Sequence, residues 1–336
     1  MATQPAVYAT RDIPDMGFEL LEDDFDLHVW PDDGPPSQEH IKSRLSELEA
    51  SALICMVSDD ISESVIDASP NLEVISAYSV GYDHIDLGAA RKRDIKVGHT
   101  PGILTETTAD LTWALILAAA RRVVEGHEYV ADGEWNHWSP TNFLGRDIHG
   151  GTLGVVGLGN IGKAVVERGA GFDVRILYTD SGRQPQTERQ FARKSIDISH
   201  APLEETLRKS DFLTLHAPLN ADTEYLISDS ELKQMGSNAI LINASRGKVV
   251  DLAALDRALE RDSIGAAALD VTDPEPLPRS HPVLDHEPEK LIVTPHIGTS
   301  SYPTRRKMAR MTAENVLYGL RGEPLQHDVF DDVTHP

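Results

Sequence analysis

The stretch G-L-G-N-I-G spans residues 157–162, between an apolar run and a stretch with helical spacing. The apolar run at 153–156 predicts a buried strand, and the stretch 160–168 predicts the helix that follows the glycines. A second apolar run, 174–178, is followed by Asp180, about 20 residues after the first glycine. This order of strand, glycine turn, helix, strand and acid predicts a dinucleotide site.

Each glycine of this turn has a physical reason to be there. Gly157 permits a tight turn from strand to helix, Gly159 lets the backbone approach a pyrophosphate, and Gly162 lets helix and strand pack closely. The N-terminus of the helix offers unpaired N–H groups and a positive dipole end to phosphates. The Asp180 carboxylate can then hold a ribose hydroxyl.

The composition indicates a large, acidic protein of two domains. A chain of 336 residues exceeds the usual size of one domain, and its 40% apolar content suffices for real cores. The net charge of −23, from 54 acidic and 31 basic residues, would repel nucleic acid and anionic membranes. The same charge favours adaptation to high salt, where screening removes self-repulsion.

Other features predict a soluble cytoplasmic protein without a bound metal. The N-terminus lacks the basic and apolar regions of a signal peptide, and no apolar stretch has membrane length. The single cysteine, Cys55, lies in an apolar run and is expected in the core, without an intrachain disulfide. The 14 histidines are scattered and show no metal-ligand spacing.

Apolar runs alternate with helical stretches along most of the chain, which predicts doubly wound parallel sheets. The strands are predicted at 6–9, 52–57, 72–76, 212–215, 239–242, 265–269 and 291–293. The helices are predicted at 43–50, 106–124, 203–209, 229–235, 252–260 and 302–319, with an irregular arm at 131–150.

Three polar side chains follow predicted strands, where ligands bind in an open parallel sheet. They are Arg246 in N-A-S-R-G, Glu275 in D-V-T-D-P-E-P-L-P and His296 in T-P-H-I-G. Arg can hold a carboxylate with two hydrogen bonds, His can exchange a proton near neutral pH, and a neighbouring Glu would favour the imidazolium. Each is also consistent with a helix cap or a solvated loop, and spacing alone does not bring the three together.

Several segments resemble the D-2-hydroxyacid dehydrogenase family, in order and at fitting separations over nearly the whole chain. They are G-L-G-N-I-G, N-A-S-R-G-K-V-V-D, L-D-V-T-D-P-E-P-L-P, P-H-I-G, S-V-G-Y-D-H-I-D at 79–86 and E-T-T-A-D at 106–110. Within the family, W-N-H-W, L-Y-T-D-S-G-R-Q-P and L-R-G-E-P are most similar to glyoxylate/hydroxypyruvate reductases. The resemblance implies NAD(P)H-dependent reduction of a short 2-keto acid such as glyoxylate or hydroxypyruvate.

The resemblance also implies an α/β fold of two Rossmann-like domains, each a doubly wound parallel sheet. The substrate domain would be discontinuous, formed by residues 1–101 and 298–336, with the dinucleotide-binding domain at 102–297 and the active site in the cleft. A homodimer is implied, whose arm at about 104–150 embraces the partner and places Trp138 at the partner's active site. Burial of Trp135 and Trp138 in the core is the alternative.

The family resemblance assigns a role to each candidate side chain. His296 would be the general acid/base, Glu275 its orienting partner, and Arg246 the clamp on the substrate carboxylate and carbonyl. The N–H groups of Val80 and Gly81 would bind the carboxylate. The other residues that would line the cofactor pocket are Asn160, Ile161, Asp180, Ala217, Pro218, Ala244, Asp270 and Thr299.

The choice of coenzyme rests on two residues that point in different directions. Asp180 would repel a 2′-phosphate and so favours NAD. Arg183, in G-R-Q-P, resembles the phosphate-binding turn of members that use NADP, with Asp180 and Ser181 as an apparent insertion before it. NAD is therefore favoured, and NADP remains open.

Three related functions are alternatives to the reductase. Formate dehydrogenases have Gln where this chain has Glu275, so the acid argues against formate oxidation. Phosphoglycerate dehydrogenase is the nearest alternative enzyme, although 336 residues leave no room for the regulatory domain that many of those enzymes carry. The NAD(H)-sensing corepressors share the fold and triad but act by binding partners, usually with disordered extensions.

Overall fold

The computed structural model describes residues 4–14 and 16–331, which fold into two compact units. One unit holds the residues up to Leu104 and those from Thr299 onward, and the other is Thr105–Gly298. Each unit is built on a parallel sheet with helices between its strands. The predicted fold class, two Rossmann-like α/β domains, is confirmed.

The first unit contains a five-stranded parallel sheet with the strand order β2-β1-β3-β4-β5. The strands are β1 (Ala6–Ala9), β2 (Asp26–Val29), β3 (Ala52–Cys55), β4 (Val74–Ala77) and β5 (Lys96–Gly98). The helices are α1 (Gln38–Glu47), α2 (Glu63–Ile66), α3 (Leu87–Lys92) and the C-terminal helix (Tyr302–Leu320). The residues of β1, β3 and β4 are all buried, and Cys55 lies in the core as predicted.

Helix α1 begins earlier than the apolar pattern predicts. Ser37 caps it by accepting a hydrogen bond from His40 N, so the helix starts at Gln38 rather than at residue 43. It ends at Glu47, before Glu49 adopts a left-handed conformation with φ of 47°.

The second unit contains a seven-stranded parallel sheet with the strand order β12-β11-β10-β9-β6-β7-β8. The strands are β6 (Thr152–Val156), β7 (Arg175–Thr179), β8 (Ile198–His200), β9 (Phe212–Leu215), β10 (Ile240–Asn243), β11 (Ala266–Leu269) and β12 (Leu291–Val293). The helices are α4 (Thr105–Ala120), α5 (Val123–Ala131), α6 (Asn160–Gly169), α7 (Pro185–Arg193), α8 (Leu203–Lys209), α9 (Asp229–Leu232) and α10 (Leu252–Glu260). The strand order reverses between β6 and β9, and such a switch point forms a ligand crevice.

The helix predicted at 106–124 is two helices. Helix α4 ends at Ala120, and Arg122 adopts a left-handed conformation with φ of 51° before α5 begins. The Ala120 carbonyl accepts a hydrogen bond from Arg146 N (2.8 Å), and a Cβ on Gly145 would lie 2.3 Å from the same oxygen. The last carbonyl of the helix therefore accepts its hydrogen bond from a segment distant in sequence. The local sequence pattern could not predict this contact.

Helix α4 packs on α6 through Trp113, which is buried. Its indole stacks on Phe172 with ring centroids 4.4 Å apart, and its Nε1 donates to Val165 O (2.9 Å). Trp135 and Trp138 instead expose 64% and 79% of their surface, so the alternative of core burial for these two residues is wrong.

Candidate active site

The glycine turn has the geometry that its sequence predicts. Gly157 has φ of +91°, and a Cβ there would lie 2.7 Å from Ala217 N, so a larger residue is excluded. A Cβ on Gly162 would lie 2.2 Å from the Gly157 oxygen. At Gly159 a Cβ would meet no atom within 4 Å, so the backbone before α6 faces open space. These features fit a bound pyrophosphate at the start of α6.

Asp180 is held against this turn by the protein itself. Its Oδ2 accepts hydrogen bonds from Leu158 N (2.8 Å) and Gln184 Nε2 (3.0 Å), and its Oδ1 accepts one from Ser181 N (2.7 Å). The carboxylate is therefore fixed beside the glycine turn at the end of β7, where a ribose hydroxyl would be bound.

Arg183 pairs with an acid that the sequence analysis did not single out. Its Nε donates to Glu188 Oε1 (2.9 Å) and its Nη2 donates to Oε2 (2.8 Å). The signal was present in the sequence, because Glu188 lies one helical turn into α7, shortly after Arg183.

The three candidate catalytic residues follow strands β10, β11 and β12, which are neighbours in the sheet. Arg246 lies in the turn after β10, where Asn243 Nδ2 donates to Arg246 O (2.9 Å) and Arg246 Nη1 donates to Ser245 O (2.9 Å). A Cβ on Gly247 would lie 2.0 Å from Thr272 O, so this turn packs directly on the loop that leads to Glu275.

His296 and Glu275 form a close pair. The His296 Nδ1 lies 2.6 Å from Glu275 Oε1, and about a third of each side chain is exposed. This contact orients the imidazole and leaves its Nε2 as the nitrogen that can exchange a proton with a substrate. A histidine oriented by a carboxylate is suited to general acid catalysis, which depends on a positioned proton donor.

The backbone at His296 is left-handed, with φ of 53°, and Asp270 stabilises it. The Asp270 side chain accepts hydrogen bonds from Thr294 Oγ1 (2.6 Å), Ile297 N (2.8 Å) and Gly298 N (2.8 Å), while its carbonyl accepts from His296 N (2.9 Å). Burial raises the pKa of the Asp270 carboxyl, and these hydrogen bonds oppose that shift. Asp270, predicted only as a cofactor residue, thus holds the turn that carries His296.

Most of the remaining predicted residues follow strands, whereas Asn160 and Ile161 begin helix α6 and Thr299 precedes the C-terminal helix. In the second unit, Ala217 and Pro218 follow β9, and Ala244 follows β10. In the first unit, Val80 and Gly81 follow β4, where the Gly81 carbonyl accepts a hydrogen bond from Ser79 Oγ (2.6 Å). Thr299 begins the returning segment of that unit.

The residues that the structure describes contain neither a candidate membrane-spanning helix nor a candidate metal-binding cluster. None of their helices combines the length and apolar character that a membrane span requires. Within the same residues, no three His, Cys, Asp or Glu side chains are grouped as a metal site would need.

Comparison with known proteins places this site in a family. Residues 113–298 match the D-isomer specific 2-hydroxyacid dehydrogenase, NAD binding domain. The chain is 45% identical over 321 residues to a glyoxylate reductase of Korarchaeum cryptofilum, covering 95% of this chain and 94% of that protein. It is 42% identical over 324 residues to a glyoxylate reductase of Pyrococcus horikoshii, covering 95% and 94%.

A solved structure shows the same relationship. The crystal structure of the TT0316 protein from Thermus thermophilus matches with a TM-score of 0.88 and 42% identity, covering 96% of this chain and 99% of that one. The fold is that of an NAD-binding oxidoreductase. The chain belongs to the D-isomer specific 2-hydroxyacid dehydrogenase family.

Replacing Gly162 by alanine should weaken dinucleotide binding by about 10–100-fold, because overpacking costs about 1–3 kcal/mol. The added Cβ would lie 2.2 Å from the Gly157 oxygen and force the turn open. NADH fluorescence titration measures the loss, and the melting temperature shows whether the variant still folds. Gly236→Ala is the matched control, since a Cβ there meets nothing within 4 Å and the residue lies away from the turn. Wild-type affinity in a folded Gly162→Ala variant would contradict this account of the turn.

Proposed function

We propose that this protein is a glyoxylate reductase that also reduces hydroxypyruvate to the D-2-hydroxy acid, with NADH as coenzyme. The observation that carries the proposal is the 2.6 Å His296–Glu275 pair at the carboxyl edge of the dinucleotide-type sheet. The 45% identity to a glyoxylate reductase supports the choice of substrate.

The dinucleotide would be held mainly by residues of the second unit. The glycine turn at 157–162 and the N-terminus of α6 would bind the pyrophosphate, and Asp180 would bind the adenosine ribose. The rest of the proposed pocket consists of Asn160, Ile161, Ala217, Pro218, Ala244 and Asp270 of this unit, together with Thr299 of the first unit. When bound, the reduced nicotinamide supplies a hydride to the carbonyl carbon of the substrate.

The protein's own side chains would supply the proton and the charge stabilisation. His296 would give a proton from Nε2 to the carbonyl oxygen, and Glu275 would hold the imidazole in place through Nδ1. Arg246 would bind the substrate carboxylate and stabilise the charge that develops on the oxygen. The N–H groups of Val80 and Gly81 would add hydrogen bonds to the carboxylate.

The domain roles and the assembly are part of the same proposal. Residues 102–297 would bind the dinucleotide, and residues 1–101 with 298–336 would bind the substrate. A homodimer would form through the arm at about 104–150, and Trp138 would reach the partner's active site. The exposure of Trp135 and Trp138 on this chain supports a contact between copies, because large aromatic side chains are typical anchors of interfaces.

NAD is the proposed coenzyme because of the geometry at the end of β7. Asp180 is fixed beside the glycine turn, where it would repel a 2′-phosphate. Arg183, the residue that would favour NADP, is paired with Glu188. NADP is the alternative.

The proposal includes a cytoplasmic location. It also includes adaptation to high salt, which the acidic composition supports. We expect the melting temperature to rise between low and molar KCl. The chain has 54 acidic and 31 basic residues, and screening by salt reduces the repulsion that its net charge of −23 creates in the folded state. Thermal unfolding followed by circular dichroism measures this effect. A melting temperature that stays constant or falls with KCl would contradict salt adaptation.

Steady-state kinetics on a panel of keto acids tests the proposed function. The panel contains glyoxylate, hydroxypyruvate, pyruvate and 3-phosphohydroxypyruvate, each with NADH and NADPH. The highest kcat/KM should be found for glyoxylate or hydroxypyruvate. A preference for the phosphorylated acid would favour phosphoglycerate dehydrogenase, and NADH binding without any turnover would favour a corepressor-like protein.

A further inference from the structure

The segment from Tyr178 to Glu188 is a hydrogen-bonded unit beside the proposed ribose site. Arg183 and Glu188 form a two-bond fork, with Nε–Oε1 and Nη2–Oε2 distances of 2.9 and 2.8 Å. The Gln184 side chain donates to Asp180 Oδ2 (3.0 Å) and to Leu158 O (3.2 Å), which ties the segment to the glycine turn. This segment therefore positions both Arg183, whose charge would favour a 2′-phosphate, and Asp180, whose charge would repel it.

Glu188 is the fixed member of the ion pair. Its Oε1 accepts a hydrogen bond from the buried Tyr178 hydroxyl (2.9 Å), and that hydroxyl accepts one from Gln184 N (2.7 Å). The Glu188 side chain is 14% exposed, whereas that of Arg183 is 65% exposed. Because the core positions Glu188, its carboxylate determines where the Arg183 guanidinium lies.

The pairing has a direct consequence for coenzyme choice. The hydrogen bond and charge of Arg183 lower the pKa of Glu188, and the nearby His200 acts in the same direction, so the acid stays ionised. A guanidinium whose fork is filled by a carboxylate must leave it before it can bind a phosphate with the same two donors. From this geometry we infer that Glu188 is a specificity-determining residue, which withholds Arg183 from a 2′-phosphate and so selects NAD over NADP. The inference rests on the proposed function, because it assumes a dinucleotide at this site.

The test uses Glu188→Gln, which keeps an oxygen for the Tyr178 hydroxyl but removes the charge that holds Arg183. Isothermal titration with adenosine 2′,5′-bisphosphate and with 5′-AMP isolates the contribution of the 2′-phosphate without any turnover. We expect the affinity for the bisphosphate to rise about tenfold relative to 5′-AMP, as expected for freeing one charge-assisted pair. The ratio of kcat/KM for NADPH to that for NADH should rise by a similar factor.

Two further variants show whether Arg183 carries the gain. In Arg183→Gln combined with Glu188→Gln the gain should disappear, because no guanidinium is left to bind the phosphate. The matched control is Glu204→Gln, which breaks the exposed Glu204–Arg208 pair on α8 and should leave the ratio unchanged.

Two results would overturn the inference. One is an unchanged ratio in Glu188→Gln with a wild-type melting temperature, and another is a gain that survives the loss of Arg183. If no keto acid is reduced, the proposed function fails, while the nucleotide titrations still test the role of Glu188.

Discussion

Replacing His296 by alanine should lower kcat for glyoxylate reduction by about 10²–10⁴-fold, the contribution typical of positioned acid catalysis. The imidazole lies 2.6 Å from Glu275 and would supply the proton that the developing alkoxide needs. NADH affinity should stay the same, because the proposed nucleotide contacts lie at the glycine turn and Asp180. Steady-state kinetics with a parallel NADH fluorescence titration measures both quantities.

The control for this variant is His40→Ala, which removes an exposed histidine that lies outside the proposed site and outside the proposed dimer arm. It should turn over at the wild-type rate. Glu275→Gln should lower kcat less than His296→Ala, since glutamine can still contact Nδ1 and orient the ring, and the imidazole itself is kept. Wild-type turnover in a folded His296→Ala variant would remove His296 from the mechanism.

Replacing Arg246 by glutamine should lower kcat/KM for glyoxylate by about 10²–10³-fold, as expected for loss of a donor that stabilises developing charge. Part of the loss should appear in KM, because the guanidinium would also bind the substrate carboxylate in the ground state. Arg246→Lys should recover little activity, since an ammonium group cannot form the same planar fork. Initial rates over a range of glyoxylate concentrations separate the two effects.

Arg257→Gln is the matched control for the arginine variant. Arg257 donates to Asp229 in the same unit, so its loss removes an arginine ion pair without touching the proposed site. Its kinetics should match the wild type. Unchanged kcat and KM in Arg246→Gln would show that Arg246 does not bind the substrate.

Much of the fold could be predicted because its signals are local. Apolar runs bounded by turn residues predicted the buried strands, and the glycine stretch predicted the turn that Gly157 makes with φ of +91°. Strand β2 was not predicted, because Asp26 and His28 interrupt its apolar character at the edge of the sheet. The break at Arg122 was not predicted either, because it depends on a hydrogen bond from the distant Arg146.

The candidate site shows the same division between local and distant signals. Motifs pointed to His296 and Glu275 separately, but their contact depends on β11 and β12 lying side by side. Asp270 stabilises the turn at His296 by accepting four hydrogen bonds. The spacing of these residues in the sequence could not predict them. Arg183 was interpreted without its partner Glu188, because the motif around Arg183 does not show that the two side chains form an ion pair.

The most direct test of the central claim is the stoichiometry of glyoxylate reduction by the purified protein with NADH in molar KCl. NADH oxidation is followed by absorbance, and glycolate is quantified in the same reaction. The account predicts saturable turnover with one glycolate formed for each NADH oxidised. Binding of NADH without oxidation of the coenzyme or formation of glycolate would contradict it.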